Sequence, residues 1–197
     1  TSGCKAVVFD PQGHVLATAA REYQTLMPGA GWAELDSVRV IDACMDVMAE
    51  AAGRCRDTDP VQGIGVSSQG EAFTSLGPDG AVLTNAMVSF DTRAAELAHS
   101  WPEAFGARRL YEITGHTAHP MFTLFKILWV RDHRPDVWAK ARHFFCFEEL
   151  LHTRLGLEPA ISYPLAGRTM LFNVRTHRWD PDILAAVGLD AQRLARP

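Results

Sequence analysis

No apolar stretch of this sequence approaches the ~20 residues that a membrane-spanning helix needs. The only apolar run near its start, residues 6–9, is cut by Asp10 and Pro11, which does not read as a signal peptide. Cysteine is scarce. Cys4, Cys44, Cys55 and Cys146 lie far apart and form no CxxC pair, so reduced thiols are expected in place of a disulfide frame or a zinc site. There is no surplus of positive charge. With 19 Lys+Arg against 23 Asp+Glu the net charge is −4, which argues against nucleic acid as a partner. Three familiar motifs are also missing. Without GxxxxGK[ST], GxGxxG or G-x-S-x-G there is no Walker loop, dinucleotide fingerprint or nucleophile elbow. The scattered cysteines fit a cytoplasmic protein, and composition goes no further. What is present is 197 residues, 47% of them hydrophobic and 21% charged, enough to bury a substantial core in one domain.

Apolar runs at residues 6–9 and 15–17 flank Asp10-Pro11-Gln12-Gly13 and predict a β-hairpin. Asp36 or Ser37 is placed to cap a helix over residues 38–54, where Ile41, Cys44, Met45, Met48 and Ala52 recur at helical spacing. Ile64-Gly65-Val66-Ser67 predicts a short, fully buried strand that runs into polar Ser68-Gln69-Gly70-Glu71. Residues 73–76 and 82–88, around Gly77-Pro78-Asp79-Gly80, predict a second hairpin. Helices are expected over 91–100, 110–113 and 123–132, with Pro135 ending one or starting the next. A buried strand at 144–147 and a helix through Leu155 follow. Hairpins first and alternation later imply one α/β domain, a mixed sheet flanked by helices.

Few of these residues announce chemistry. His116 and His119 have a spacing two metal ligands could share, but Pro120 and the loop setting oppose a helix there, and no third ligand is evident. They read as loop or pocket histidines, and no metal site is expected. Glu148 and Glu149, adjacent on a helix, point apart and read as solvated charge near its N-terminus. Three segments are more suggestive. Thr1-Ser2-Gly3-Cys4-Lys5 precedes a strand with small hydroxyl residues and a glycine, which lets backbone N–H groups approach a phosphate; a flexible terminus has the same look. Ser67 to Glu71 ends an apolar strand, where ligands gather in crevices; a simple turn reads equally well. Asp91-Thr92-Arg93 opens a helix, as a cap and local ion pair also would.

Taken in order, these segments resemble the N-terminal domain of the FGGY family of carbohydrate kinases. Residues 1–10 are similar to its first phosphate hairpin, and residues 28–36, with Gly31-Trp32-Ala33-Glu34 and Asp36, to its P-G-W-x-E-x-D loop. Residues 64–71 resemble the I-G-x-S-x-Q strand and substrate loop, residues 85–93 the A-I-x-W-x-D-x-R segment, and Lys126-Ile127-Leu128-Trp129 the K-x-x-W helix. Arg168-Thr169-Met170-Leu171-Phe172-Asn173, then Trp179-Asp180, is similar to the R/G-T-M-L-F-N…W-D stretch of glycerol and pentulose kinases.

The resemblance implies an RNase H-like fold of the actin/hexokinase type, with a sister domain supplying most of an ATP site. It implies transfer of the γ-phosphate of Mg-ATP to a hydroxyl of a small sugar, polyol or sugar acid, with ATP and Mg2+ as cofactors. Thr1, Ser2 and Lys5 would border the phosphates. Gln69, Gly70, Glu71, Asp91, His119 and Met121 would line the substrate. The family's first strand, with an aspartate and glycine, falls before Thr1, and its aspartate base falls beyond Pro197. The resemblance therefore implies an incomplete sugar-side domain, inactive alone, compatible with a homodimer and without a membrane partner.

Departures from the pattern bear on the substrate. Glycerol kinases carry arginine at the place of Gly70 and tyrosine at Met121; pentulose kinases carry Met-His at Gly70-Glu71; the family's tryptophan is here Ser89, with Phe90 next to it. His119-Pro120-Met121 resembles the V-H-P-M turn of gluconate kinases, yet their Ala-Met-His is absent from the first loop, so the resemblance leaves the sugar, polyol or sugar acid unassigned. A second reading is a catalytically inactive sugar-binding or regulatory protein of the same fold.

Overall fold

Alternating small and apolar residues draw Gly3–Phe9 (β1) and Val15–Glu22 (β2) into an antiparallel hairpin. The Asp10 carboxylate closes its turn by accepting the N–H groups of Gln12 and His14 at 2.9 and 2.8 Å. This computed structural model describes residues 2–55 and 60–197. Asp36, expected as a cap, accepts the Arg39 N–H at 3.1 Å and starts helix α1, Ser37–Gly53. The helix rests on the hairpin through Val47 and Ala51 against Ala19. Of the apolar stripe anticipated on α1, Ile41 is buried, but Cys44, Met45 and Met48 are half-buried, and Cys44 and Met48 border a cavity.

That cavity accounts for the one expected strand that does not form. Residues 64–67 belong to no strand among the described residues, and Ile64 is 60% exposed. A short apolar run becomes a buried strand only when a ladder partner takes its N–H and C=O groups. Here residues 60–69 face β1 across a space of about 1040 Å³.

The central sheet has the order β3 (Glu34–Leu35), β5 (Ala86–Met87), β4 (Phe73–Leu76), β6 (His143–Cys146), all antiparallel neighbours. Among the described residues the parallel element is an isolated bridge between Ala160 and Arg196. Side chains alternate between the faces, as a pleated strand demands. Phe73, Met87 and Phe144 enter one core with Leu124, Phe125 and Leu128, while Leu76, Ala86 and Phe145 enter the other with Val40, Ile41 and Leu151. Helices thus cover both faces. The second strand of the predicted hairpin is shortened, because the Thr84 hydroxyl accepts the Ser75 N–H that a ladder carbonyl would otherwise take.

Helix α2 (Ala95–Phe105) begins four residues later than the sequence suggests, and Gly106, at φ +103, separates it from α3, Ala107–Thr114. Helix α4, Thr123–His133, is buried from Thr123 to Val130 and has no wet face over that stretch. Pro135 opens α5 (Pro135–Lys140), and α6 (Phe147–Arg154) follows β6 directly. The chain ends through α7 (Tyr163–Arg168), the hairpin of β7 (Phe172–Asn173) and β8 (Arg178–Trp179), and α8, Pro181–Val187. No helix among the described residues is long and apolar enough to cross a membrane.

Candidate substrate-binding site

The polar loop after residue 67 enters β4 through a strained turn. Ala72 N–H donates to the Gly70 carbonyl at 2.8 Å, so the chain reverses over three residues. The central one, Glu71, has φ +64. This is the positive-φ form of the γ-turn, uncommon for a residue with a side chain, and it persists only where its surroundings hold it. Helix α4 does so. The Thr123 hydroxyl donates to the Glu71 carbonyl at 3.0 Å, and Lys126 Nζ reaches the same oxygen at 3.4 Å and that of Met87 at 3.2 Å. One buried ammonium therefore pins the loop to the end of β5. Burial lowers the pKa of Lys126 to about 7, with the Asp91 charge opposing part of that shift.

A second turn meets the first. Met170 also has positive φ, +58, and the carbonyl of Thr169 accepts the Leu124 N–H of α4 at 2.8 Å. The Thr169 hydroxyl ties the turn together, donating to Ala166 O at 2.6 Å and accepting from Leu171 N–H at 3.1 Å. This places Arg168 in an ion pair with the Glu71 carboxylate. The guanidinium also lies over the Phe122 ring, 5.1 Å from its centre. Its stem runs past Gly70, where an added Cβ would sit 3.3 Å from Arg168 Cβ and Cγ.

Asp91 is oriented into the protein. Its carboxylate accepts the Ala33 N–H at 2.7 Å and the Arg93 guanidinium at 2.7–3.0 Å, and Arg93 bonds Glu34 as well. Arg93 lies over Trp32 at 4.0 Å and over Trp129 at 5.0 Å. The local ion pair weighed at this position is the arrangement found, and it anchors the tryptophan loop to the sheet. Phe90, next to the place of the family's tryptophan, is 48% exposed and does not swing inward.

The remaining candidates fall in two groups. Lys5, Ser67, Ser68 and Gln69 border the cavity, so Lys5 and Gln69 share one hollow. Ser2 is exposed at the open end of the hairpin, its carbonyl accepting Tyr23 N–H at 3.0 Å; Thr1 lies outside the described residues. His119 is exposed and its Nδ1 accepts the Met121 N–H at 3.2 Å, while Met121 is half-buried beside Phe122. The His116 ring stacks near Phe122 at 4.8 Å. Among the described residues no three His, Cys, Asp or Glu side chains gather as metal ligands would.

Two features went unread in the sequence. Lys126, Thr123 and Arg168 hold the turn at Glu71, yet only motif membership marked Lys126 and Arg168. A lysine inside the apolar run 124–130 is the signal for the first, since a buried charge needs polar partners. The reading of Glu148 and Glu149 as solvated charge is corrected: both are buried. Glu148 accepts Ser162 N–H and its hydroxyl at 2.9 and 3.0 Å, and burial pushes Glu149 up to about 7. Helix α6 is wedged against β6 and residues 160–162, and that tertiary contact leaves neither carboxylate in water.

The chain matches the FGGY family of carbohydrate kinases, N-terminal domain, over residues 1–196. It is 26% identical to a gluconokinase of Bacillus licheniformis, over 100% of this chain and 38% of that protein. To a glycerol kinase of Rhizorhabdus wittichii it is 31% identical, over 100% of this chain and 41% of that protein. A solved ligand-bound xylulose kinase from Lactobacillus acidophilus superposes with a TM-score of 0.91 at 25% identity, over 100% of this chain and 40% of that one. The chain spans about two fifths of the length of these relatives. With the motifs in order, helices on both faces of the sheet and the match running almost end to end, the chain belongs to the FGGY family of carbohydrate kinases, as its N-terminal domain.

Proposed function

We propose that the protein carrying this domain is an ATP-dependent phosphotransferase that phosphorylates a hydroxyl of a small sugar, polyol or sugar acid. The observation that carries this reading is the loop Gln69-Gly70-Glu71, which leaves the cavity wall at Gln69 and is fixed at the buried Glu71 by the ammonium of Lys126. Pre-formed polar groups of this kind bind a hydroxylated chain in one orientation and reject compounds lacking the hydroxyl. Gln69 offers both donor and acceptor to substrate hydroxyls. Gly70 and Glu71 shape the rim, His119 and Met121 extend it, and Asp91 acts from behind by holding the Trp32 loop.

Lys5 is exposed on the same cavity and is suited, with Ser2 and Thr1, to border the phosphates of ATP. ATP bound as its magnesium complex supplies the phosphoryl group, and no magnesium ligand is assigned to this domain. By the family resemblance, the carboxylate that accepts the hydroxyl proton belongs to the second domain. The test is an ADP-release screen of the full-length protein against pentuloses, alditols and aldonic acids. Turnover with one class supports the reading. Tight sugar binding without ADP release from any of them replaces it with the sugar-binding one.

A further inference from the structure

Two cysteines far apart in the sequence become neighbours in the fold. Helix α1 carries Cys44, Val47 and Ala51 on one face, at steps of three and four residues. Val47 and Ala51 pack on the hairpin, with Cys4, Ala6 and Val8 of β1 against them. Cys4 stands opposite Arg21 in the hairpin register, and the Arg21 guanidinium reaches Glu50 of α1 at 2.6 Å, so this side of β1 faces the helix. The Cys44 thiol donates a hydrogen bond to the Cys4 sulfur, and Tyr23 feels the charge of both. Both thiols are half-buried and border the cavity. We propose that Cys4 and Cys44 form a redox modification site, a thiol pair that hydrogen peroxide converts to a disulfide joining β1 to α1.

The pair is asymmetric. Burial first, then the charge of Cys4 and the hydrogen bond to it, push the Cys44 thiol up to about 12. Cys44 therefore keeps its proton at neutral pH, and a thiolate formed on this pair belongs to Cys4. That thiolate attacks one oxygen of the peroxide and the O–O bond breaks. Cys4 becomes a sulfenic acid, and the departing hydroxide takes up the proton that Cys4 released and leaves as water. The Cys4 charge that helped to hold the Cys44 proton is then gone. The Cys44 sulfur attacks the Cys4 sulfur, the S–O bond breaks, and hydroxide leaves with the Cys44 proton as a second water. The two thiols together give up two electrons, and the peroxide is reduced to water. Small side chains at Ala6, Ala19 and Ala51 let helix and hairpin lie close, as such a bridge requires. The bond clamps the start of the hairpin to α1, one residue before Lys5. Cys55 and Cys146 are buried, and burial pushes Cys146 well up, so neither competes for the oxidant.

The test is peptide mapping of the full-length protein by mass spectrometry, after timed exposure to hydrogen peroxide and alkylation of the remaining thiols. Wild type is expected to yield a Cys4–Cys44 cross-linked peptide that dithiothreitol removes, with both thiols lost about tenfold or more faster than Cys55 and Cys146. Cys44→Ser should leave Cys4 without its partner, so that it is trapped as sulfenic acid and passes on to sulfinic acid. Cys4→Ser should slow the oxidation of Cys44 by a similar factor, since burial still holds its proton. The wild-type map decides the proposal even where a variant does not fold. It is overturned by Cys4 lost to sulfinic acid in wild type with no cross-link, by either cysteine bridged to another partner, or by the pair reacting no faster than Cys55 and Cys146. Oxidation of Cys44 at the wild-type rate in Cys4→Ser also overturns it.

Discussion

Lys126 Nζ lies 3.2 Å from the carbonyl oxygen of Met87, in a helix turn that water does not reach. The ammonium is held there at the expense of its hydration, which is why its pKa falls to about 7 from 10.5. Below pH 7 folded and unfolded chains both carry the proton, and the burial cost is present in full. Between about 7 and 10.5 only the unfolded chain binds it, so this group makes stability rise with pH. Asp91, Arg93 and Cys146 surround it; the Cys146 thiol is pushed well up by burial and stays neutral in this range. Urea midpoints at pH 7, 8 and 9 should therefore move upward in wild type relative to Lys126→Met. A difference between the two that does not vary with pH would refute this.

Glu149 has the opposite signature. Its folded pKa is raised to about 7 from 4.5 by burial, with the nearby Glu148 charge adding to the shift. From about pH 4.5 to 7 the folded chain keeps a proton that the unfolded chain releases, so stability falls as pH rises through that window. Glu149→Gln has no proton to release, and its stability should decline less between pH 5 and 7 in the same measurement. A parallel decline would place Glu149 in a wetter site.

Arg93 joins Asp91, Glu34, Trp32 and Trp129 with its side chain 3% exposed. Arg93→Ala leaves the buried Asp91 carboxylate and the half-buried one of Glu34 without their cation and should cost about 3–5 kcal/mol. Arg93→Lys loses the fork and the stacking and should also be destabilising. Chemical denaturation reads both, and a loss below about 1 kcal/mol for the alanine variant would remove this cluster from the framework.

Gly31 sits at φ +73, and a Cβ there would collide with the Thr92 hydroxyl oxygen. The same carbonyl at position 31 accepts the Thr92 N–H at 2.8 Å, so the two segments cannot simply separate. Gly31→Ala should cost about 1–3 kcal/mol. In a Thr92→Ala background part of that loss should disappear, because the collision is gone and the backbone strain remains. Equal losses in both backgrounds would show that the collision contributes nothing.

The periodicity of residues 38–53 and the Asp36 cap, the D-P-x-G hairpin, and the strand-helix succession at 143–154 are local properties. Neighbouring residues decide them through spacing, capping and turn chemistry, so the sequence alone determined these elements, and the order of its motifs determined the family. The pairing of Arg168 with Glu71 is different, because it joins segments far apart in the chain that meet only at the start of α4. The same holds for Glu148 and Glu149, dry although charged, and for residues 64–67, apolar yet unpaired. Whether a polar group is buried, or an apolar segment finds a ladder, depends on what the rest of the chain brings beside it. Only the tertiary structure decided those.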